Sequence, residues 1–317
     1  MQEKDKISIN YLEDPIRIAD LLNTYLYHGK QIVEKTDIKE CRRDVSAQEN
    51  VGNKVKMKTI IRDIVKKAQL EAQLVIIALE NQSGIHYAMP LRIMRGDAFE
   101  YQEQWNKIAK EHKEKKDLKG NEFLSGFSKE DKLIPVITIC IYLGEKPWDG
   151  PKSLKDMLDL QGVSEEVRNQ IADYPLNLLE VNNYSDVEQF KTDLRVVFGF
   201  LQRREDSATL KAYVEENEEI FQNLPEDAYD FLSAFSNTKE LDEKKKIKEE
   251  REGYDMCKAI YDMVEQGREE GRKEGREEGI KLALEVLHMN RLGKSSEVIS
   301  ECCEMAVDEV EEILQAF

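Results

Sequence analysis

The first half of the chain shows the apolar and polar patterns of an α/β domain. From residue 54 the side chains alternate strictly, which is typical of a β-strand. One face of this strand carries Val55, Met57, Thr59, Ile61 and Asp63, and the other carries Lys54, Lys56, Lys58 and Arg62. After a short polar turn, residues 74–82 are apolar on both faces and predict a central strand. A third apolar strand is expected at 133–143.

Helical patterns surround these strands. Asp14 and Pro15 are typical of a helix start, and Gly29 of its end. Asp20 lies off the apolar stripe of this helix, so we expect it to face solvent, with contact to a neighbouring site as the alternative. We place a short strand near 31–34. Pro90 begins a long helix, and we expect its core-facing stripe to consist of Leu91, Met94, Ala98, Tyr101, Trp105 and Ile108.

Beyond residue 153 only helical patterns are evident, including long amphipathic helices at 185–204 and 207–235. Glycines then recur at every fourth position, at Gly267, Gly271, Gly275 and Gly279. This spacing indicates either a helix with one glycine face or a charged linker. The predicted organisation is therefore a core at 1–160, a helical region at 161–252, a glycine-spaced segment at 253–281 and a helical tail at 282–317.

The charge is distributed unevenly along the chain. The net charge is −17, yet residues 1–150 carry 25 Lys and Arg against 24 Asp and Glu. Residues 151–317 carry 22 against 40. Phosphate contacts need cations, so any nucleic-acid site is expected in the first half. We expect self-association or a regulatory protein partner for the acidic C-terminal region.

Other classes of protein are disfavoured by composition. No apolar run reaches the roughly 18–20 residues of a membrane span, and the N-terminus is polar, so we expect a cytoplasmic protein without a membrane partner. Five cysteines form no CxxC pair, and four histidines have no zinc-site spacing. Reduced thiols and no zinc site are expected.

Three polar side chains follow the predicted strands and suggest chemistry. Asp63 ends the alternating strand, and Glu80 lies 17 residues later near the end of the apolar strand. Two carboxylates converging at one end of a sheet are suitable ligands for Mg²⁺, and Mn²⁺ is a possible substitute. Gln82 shares the face of Glu80, where it could orient an attacking water, whereas Asn81 points to the other face.

Four segments resemble one known family. They are ADLLNTYLYHGKQIV at 19–33, IRDIVKKA at 61–68, IALENQSGIHYAMPLRIM at 77–94, and LIPVITICIYLGEKPWDGPKSLKDML at 133–158. Together with the glycine-acid repeat at 267–279 they resemble the recombination-promoting nuclease (Rpn-like) family of the PD-(D/E)XK nuclease superfamily, whose members are also labelled transposases. The resemblance implies a restriction-endonuclease-like core, with a mixed central sheet flanked by helices, before an all-helical acidic C-terminal region.

The same resemblance implies Mg²⁺-dependent DNA endonuclease activity. Asp63 and Glu80 match the metal-binding acids, and Gln82 matches the position of the superfamily's catalytic lysine. Glutamine lacks the positive charge of lysine, although the Rpn-like pattern itself has glutamine there. Lys66, Lys67 and Arg92 are the candidates to supply that charge. The DNA-contacting residues that we predict are these three cations together with Lys56, Lys58 and Arg62.

Two alternatives stay open at this point. The basic face of the alternating strand, with Lys56, Lys58 and Arg62, is either a solvated edge or a phosphate-binding surface. The whole domain is either an active nuclease or a degenerate module that binds DNA or protein. A transposase of the RNase H-like kind is disfavoured, because no third acid is clearly placed on a downstream helix.

Overall fold

The computed structural model describes residues 3–41, 44–51, 54–70, 73–235 and 254–316. Only the backbone is described for 44–51, 54–61, 258–259, 262–264, 266–268, 270 and 274. The chain divides into two compact units, Met1–Met256 and Cys257–Phe317. The first unit is mixed α/β and the second is helical. In the described part of the chain, no helix is both long enough and apolar enough to cross a membrane.

A five-stranded mixed sheet forms the centre of the first unit. Its spatial order is β1 (Ile38–Glu40), β4 (Ile64–Leu70), β5 (Gln73–Gln82), β6 (Val136–Tyr142) and β7 (Asn177–Glu180). The first three strands pair antiparallel, whereas β5, β6 and β7 run parallel. The predictions of a central strand at 74–82 and a strand at 133–143 are confirmed.

The alternating segment belongs to a separate hairpin. Strands β2 (Asp44–Val51) and β3 (Lys54–Ile61) pair with each other and form a two-stranded sheet. Strand β3 is confirmed, but the turn predicted after Asp63 is wrong, because residues 64–70 form β4. Apolar Ile64, Val65 and Ala68 are buried in β4 and fix it in the central sheet.

The helices of the first unit surround this sheet. They are α1 (Glu3–Leu12), α2 (Pro15–Tyr27), α3 (Met89–Lys115), α4 (Gly120–Ser125), α5 (Glu165–Gln170), α6 (Leu194–Arg203), α7 (Ser207–Glu216), α8 (Glu218–Phe221) and α9 (Glu226–Phe235). The predicted start of α2 is confirmed, because the Asp14 carboxylate accepts a hydrogen bond of 2.7 Å from the backbone N–H of Ile16.

Three predictions are wrong in this unit. Residues 31–34 form no strand; a 3₁₀ turn at Lys35–Asp37 precedes the short β1 instead. Strand β7 lies beyond residue 153, where only helices were expected, and it extends the central sheet past residue 160. The long helices expected at 185–204 and 207–235 are shorter, and the second is divided into α7, α8 and α9.

Helix α3 packs on the sheet with a face different from the predicted one. Its buried residues are Met89, Pro90, Ile93, Gly96, Asp97 and Glu100. Leu91 and Trp105, from the predicted apolar stripe, are 44% and 42% exposed. The buried face contacts Cys140, Tyr142 and Trp148 around Met89 and Ile93, and it brings Asp97 over the sheet.

The second unit consists of α10 (Met256–Arg291), α11 (Ser296–Cys303) and α12 (Val307–Ala316). Val286, Ile299 and Val310 form its core. The glycine-spaced segment is part of α10. A Cβ atom added at Gly271, Gly275 or Gly279 would meet no other atom within 4 Å, so the described residues show no close backbone approach there.

Asp20 is 3% exposed, which contradicts the prediction that it faces solvent. Its carboxylate accepts hydrogen bonds from the backbone N–H of Lys191 at 2.8 Å and of Thr192 at 2.7 Å. The Thr192 hydroxyl donates a further bond of 2.7 Å. Asp20 thus joins α2 to the segment that precedes α6.

We expect Asp20→Ala to lower the free energy of unfolding by roughly 1–3 kcal/mol, because it leaves the partly buried donors of Lys191 and Thr192 without their acceptor. Urea unfolding followed by circular dichroism measures the change. Asp20→Asn keeps one acceptor oxygen and should cost less, and exposed Glu130→Ala is the control. Equal midpoints for Asp20→Ala and Glu130→Ala would contradict the structural role of Asp20.

His112, near the end of α3, joins two carboxylates. Its Nδ1 lies 2.8 Å from Asp117 Oδ1, and its Nε2 lies 2.9 Å from Asp131 Oδ2. Because carboxylates only accept hydrogen bonds, both ring nitrogens carry protons in this arrangement. The hydrogen bonds to Asp117 and Asp131 raise the pKa of His112. This contact ties the connection between α3 and β6 back to the helix.

We expect His112→Gln to remove a pH-dependent part of the stability. The pKa of His112 is higher in the folded than in the unfolded chain, so its contribution is complete below about pH 6.5 and disappears as pH rises through the raised pKa. The difference in unfolding free energy between wild type and variant should therefore shrink above about pH 6.5. Urea titrations across this range test it, with exposed His86→Gln as control; a pH-independent difference would refute it.

Candidate active site

The fold brings Asp63 and Glu80 together at one end of the central sheet. Ile64 of β4 pairs with Leu79 of β5, so Asp63, in the bend before β4, lies across from Glu80. The backbone N–H of Asn81 donates a hydrogen bond of 2.9 Å to Asp63 Oδ2. The convergence of the two acids expected from the sequence is present, and their roles stay a prediction.

Glu80 is 4% exposed and is held by two guanidinium groups. Its Oε2 accepts a hydrogen bond of 2.8 Å from Arg92 Nη2, and its Oε1 lies 3.4 Å from Arg62 Nε. Burial raises the pKa of Glu80, and the nearby Asp63 adds to the rise, while Arg92 and Arg62 oppose it. The carboxylate therefore depends on cations beside it.

Asp63 is more accessible than Glu80 and has fewer polar contacts. Burial raises the pKa of Asp63, and the hydrogen bond from Asn81 and the charge of Arg92 oppose this rise. Arg92 therefore acts on both acids. Its side chain is 36% exposed, so it lies between the buried pair and the surface.

Arg62 is a buried residue, and its predicted place on a DNA-binding strand face is wrong. It is 1% exposed. Its Nη1 donates a hydrogen bond of 2.7 Å to Asp97 Oδ1 on α3, and its Nη2 contacts the Thr138 hydroxyl of β6. A buried guanidinium needs such partners, and the two buried acids Glu80 and Asp97 supply them.

Three further residues complete this buried network and were not predicted from the sequence: Asp97, Thr138 and Tyr174. The Thr138 and Tyr174 hydroxyls both donate to the Asp97 carboxylate. Gly96 offered one signal in the sequence, because glycine inside a helix is costly and indicates a close contact. A Cβ atom at Gly96 would lie 3.2 Å from Arg62 Cζ.

The other predicted DNA-contacting cations have different positions. Lys66 is 3% exposed and contacts Glu40 of β1, so its predicted role at the surface is wrong. Lys67 is half-buried on β4, and Arg92 lies beside the acid pair. The side chains of Lys56 and Lys58 lie outside the described residues.

Gln82 and Asn81 differ in their surroundings. Gln82 is half-buried, and its Nε2 donates a hydrogen bond of 2.8 Å to the Asn81 carbonyl oxygen. Asn81 is 8% exposed, and neither its Oδ1 nor its Nδ2 has a hydrogen-bond partner among the described residues. Its backbone N–H, rather than its side chain, contributes to the site by fixing Asp63.

Cys140 pairs with Glu80 across the parallel strands β5 and β6. Burial, together with the charge of Glu80, raises the pKa of the Cys140 thiol to about 12. A thiol with this pKa stays protonated at neutral pH and is a poor nucleophile and metal ligand.

The donor set fits a magnesium ion bound together with substrate. The described residues contain no group of three or more His, Cys, Asp or Glu side chains that could hold a metal. Mg²⁺, however, is commonly held by one or two carboxylates, with water and substrate phosphate completing its shell. Asp63 and Glu80 supply two carboxylates. The Oε2 atom of Glu80 accepts a hydrogen bond from Arg92, so Arg92 would have to release this oxygen before it could bind a metal.

Comparisons with known proteins identify a family. A family model described as "Putative transposase, YhgA-like" matches residues 3–230, which is more than two thirds of the chain. No curated protein and no solved structure matches the chain. The matched span contains Asp63, Glu80 and the whole buried network around Arg62. The chain therefore belongs to the YhgA-like transposase family, a family of the recombination-promoting nuclease, PD-(D/E)XK type.

Proposed function

We propose that this protein is a Mg²⁺-dependent DNA endonuclease with its active site at Asp63 and Glu80. Family membership indicates a nuclease-like or transposition-related role. The observation that carries the finer proposal is the pairing of two carboxylates at one sheet end, where the backbone N–H of Asn81 holds Asp63 beside Glu80.

The order of the elements supports the same proposal. Helix α2 is followed by the antiparallel strands β1, β4 and β5, then by α3 and the parallel strand β6. This is the order that the resemblance to PD-(D/E)XK nucleases leads us to expect, with the hairpin β2–β3 inserted after β1. Asp63 precedes the second of these strands, and Glu80 and Gln82 lie on the third.

Asp63 and Glu80 would hold the metal in this proposal. A bound Mg²⁺ activates a water molecule and stabilises negative charge on the phosphoryl oxygens. The protein supplies the rest: the Asn81 N–H fixes Asp63, and Arg62 fixes Glu80 from the buried side. Gln82, on the same strand face as Glu80, supplies an amide that orients the attacking water.

Arg92 would take the charge-stabilising role that lysine has in the superfamily pattern. It is a cation beside both acids, and about a third of its side chain is exposed. Arg92 would give up its hydrogen bond to Glu80 if that carboxylate bound a divalent ion, and its guanidinium would then stay beside the acids, within reach of a bound phosphate. Guanidinium groups bind phosphate oxygens with two hydrogen bonds in favourable geometry.

A second candidate function is a degenerate module that binds DNA or protein without cleaving it. The observation that favours it is the occupation of both Glu80 oxygens by Arg62 and Arg92. In such a module these ion pairs are structural and permanent. It takes up no metal, whereas the endonuclease does.

We expect the purified protein to nick supercoiled plasmid with Mg²⁺, and Glu80→Gln and Asp63→Asn to slow nicking by at least about 100-fold. A metal ion stabilises the transition state by several kcal/mol, and each 1.36 kcal/mol of lost stabilisation slows the reaction tenfold. Asp63→Asn retains a side-chain oxygen for the Asn81 N–H, which limits structural damage.

The control for this assay is Glu103→Gln, an α3 acid outside the pair, which should nick at the wild-type rate. Circular dichroism checks that each variant is folded. Nicking at wild-type rates by folded Glu80→Gln would refute the site, and nicking in EDTA would refute the metal mechanism.

We expect Arg92→Gln to bind Mg²⁺ or Mn²⁺ more tightly than the wild type, because the cation that competes for Glu80 is removed. Calorimetric titration measures the affinity. Arg95→Gln, an exposed arginine on the same helix, is the matched control. If titration with Mg²⁺ or Mn²⁺ produces no binding heat in either the wild type or Arg92→Gln, the degenerate module is favoured.

A further inference from the structure

A cavity of about 450 Å³ opens at the carboxyl ends of the parallel strands β5 and β6. Its wall includes the loops after both strands, the first turn of α1 and the ends of α6 and α9. All of these elements belong to the first unit. In open α/β sheets, ligands bind in crevices outside the carboxyl ends of parallel strands.

The wall of this cavity is cationic, although the whole chain has a net charge of −17. Lys4, Lys146 and Arg204 line it, and Glu145 is the acid among the lining residues. The three cations come from different parts of the chain and converge only in the fold. Such a convergence favours an anionic ligand.

Arg204 is held by neutral groups. Its Nη1 donates a hydrogen bond of 3.1 Å to the Phe235 carbonyl oxygen, and its Nη2 one of 3.1 Å to that of Leu143. Its buried Nε has no hydrogen-bond partner among the described residues. Burial lowers the pKa of Arg204, and the acids Glu145 and Glu205 oppose this only through space. An anion bound in the cavity would stabilise this guanidinium.

Aromatic side chains line the same cavity. Tyr142 folds over Gly144, where a Cβ atom would lie 2.2 Å from the tyrosine oxygen, so only glycine permits this arrangement. Tyr87 is 60% exposed and lines the cavity from the loop after β5. Tyr142 is buried, so Tyr87 offers the exposed ring, and its hydroxyl contacts the Asp149 carboxylate. An exposed aromatic ring in a cavity lined by cations is suited to stacking a nucleic-acid base.

The cavity is close to the acid pair. Ser83, which lines it, is three residues beyond Glu80 on β5, or about 10 Å along the strand. The Leu143 N–H, in the cavity wall, donates a hydrogen bond of 2.8 Å to the Gln82 carbonyl oxygen. With about 3.4 Å of rise per nucleotide, a DNA strand passes from the acids to the cavity within about three nucleotides.

We propose that this cavity binds one nucleotide, with its phosphate near Lys146 and Arg204 and its base against Tyr87. The proposal that the cavity holds the substrate strand beside the cleaved bond rests on the proposed endonuclease function. A free nucleotide presents the same chemistry, so both sources of the ligand are tested.

The test measures binding of a fluorescent single-stranded DNA by fluorescence anisotropy in EDTA. The oligonucleotide has about 12 nucleotides, which is within the usual site sizes of single-strand-binding proteins. Tyr87→Ala should weaken binding at least about fivefold, since stacking contributes about 1–3 kcal/mol per base. Lys146→Gln should lower the slope of log Kd against log salt by about 0.7, the effect of one phosphate contact on a single strand.

The matched control is Lys152→Gln, an exposed lysine of the same loop that does not line the cavity and should leave affinity and slope unchanged. A deoxynucleoside monophosphate is added as competitor. If the monophosphate displaces the oligonucleotide at equal nucleotide concentration, and this displacement is lost in Lys146→Gln, the cavity binds free nucleotides. If the monophosphate displaces nothing and the variants bind the oligonucleotide more weakly, the cavity binds a DNA strand.

Oligonucleotide binding by Tyr87→Ala and Lys146→Gln that equals the wild type overturns the proposal. So does a wild-type protein that binds neither the oligonucleotide nor the mononucleotide. The two proposals fail separately, because this assay needs no cleavage. If the wild type does not nick plasmid but the variants bind the oligonucleotide more weakly, only the endonuclease proposal is refuted. If the wild type nicks plasmid and the variants bind the oligonucleotide normally, only the cavity proposal is refuted.

Discussion

The candidate site depends on one buried cation. Arg62 is 1% exposed and lies between β5, β6 and α3, where it contacts Glu80, Asp97 and Thr138. Burying a guanidinium without partners is prohibitively unfavourable, and removing one partner of a buried pair usually costs several kcal/mol. The position of α3 over the sheet is therefore coupled to the orientation of Glu80. Gly96 permits this approach, because a side chain there would meet the guanidinium.

This constraint explains which face α3 buries. A helix that packed by hydrophobicity alone would direct Leu91 and Trp105 to the sheet, and both are more than 40% exposed. The observed face satisfies Arg62 through Asp97 while Met89 and Ile93 still pack on Cys140 and Tyr142. Satisfying a buried charge outweighs burying a few more apolar side chains, since each of those contributes only about 1.5–3 kcal/mol.

The limits of prediction from the sequence follow from the same physics. Strand β5 and the acid pair were predictable, because local pattern and strand ends determine them. Strand β4 was missed because Lys66 and Lys67 look like turn residues, and the contact of Lys66 with Glu40 is visible only in the fold. Arg62 was assigned to the surface because Asp97 lies 35 residues away and Thr138 lies 76 residues away. Long-range partners of charged residues leave no local pattern.

The site and the second unit are separable in sequence. The family match ends at residue 230, and the acid pair with its buried network lies between residues 62 and 174. The helices α10 to α12 begin at residue 256 and have a core of their own. Whatever chemistry the family shares must therefore be carried by the first unit. Within that unit, the carboxyl ends of β5 and β6 gather charged groups at one edge of the sheet: Glu80 near the end of β5, Asp63 beside it, Arg92 on α3, and the cations that line the cavity.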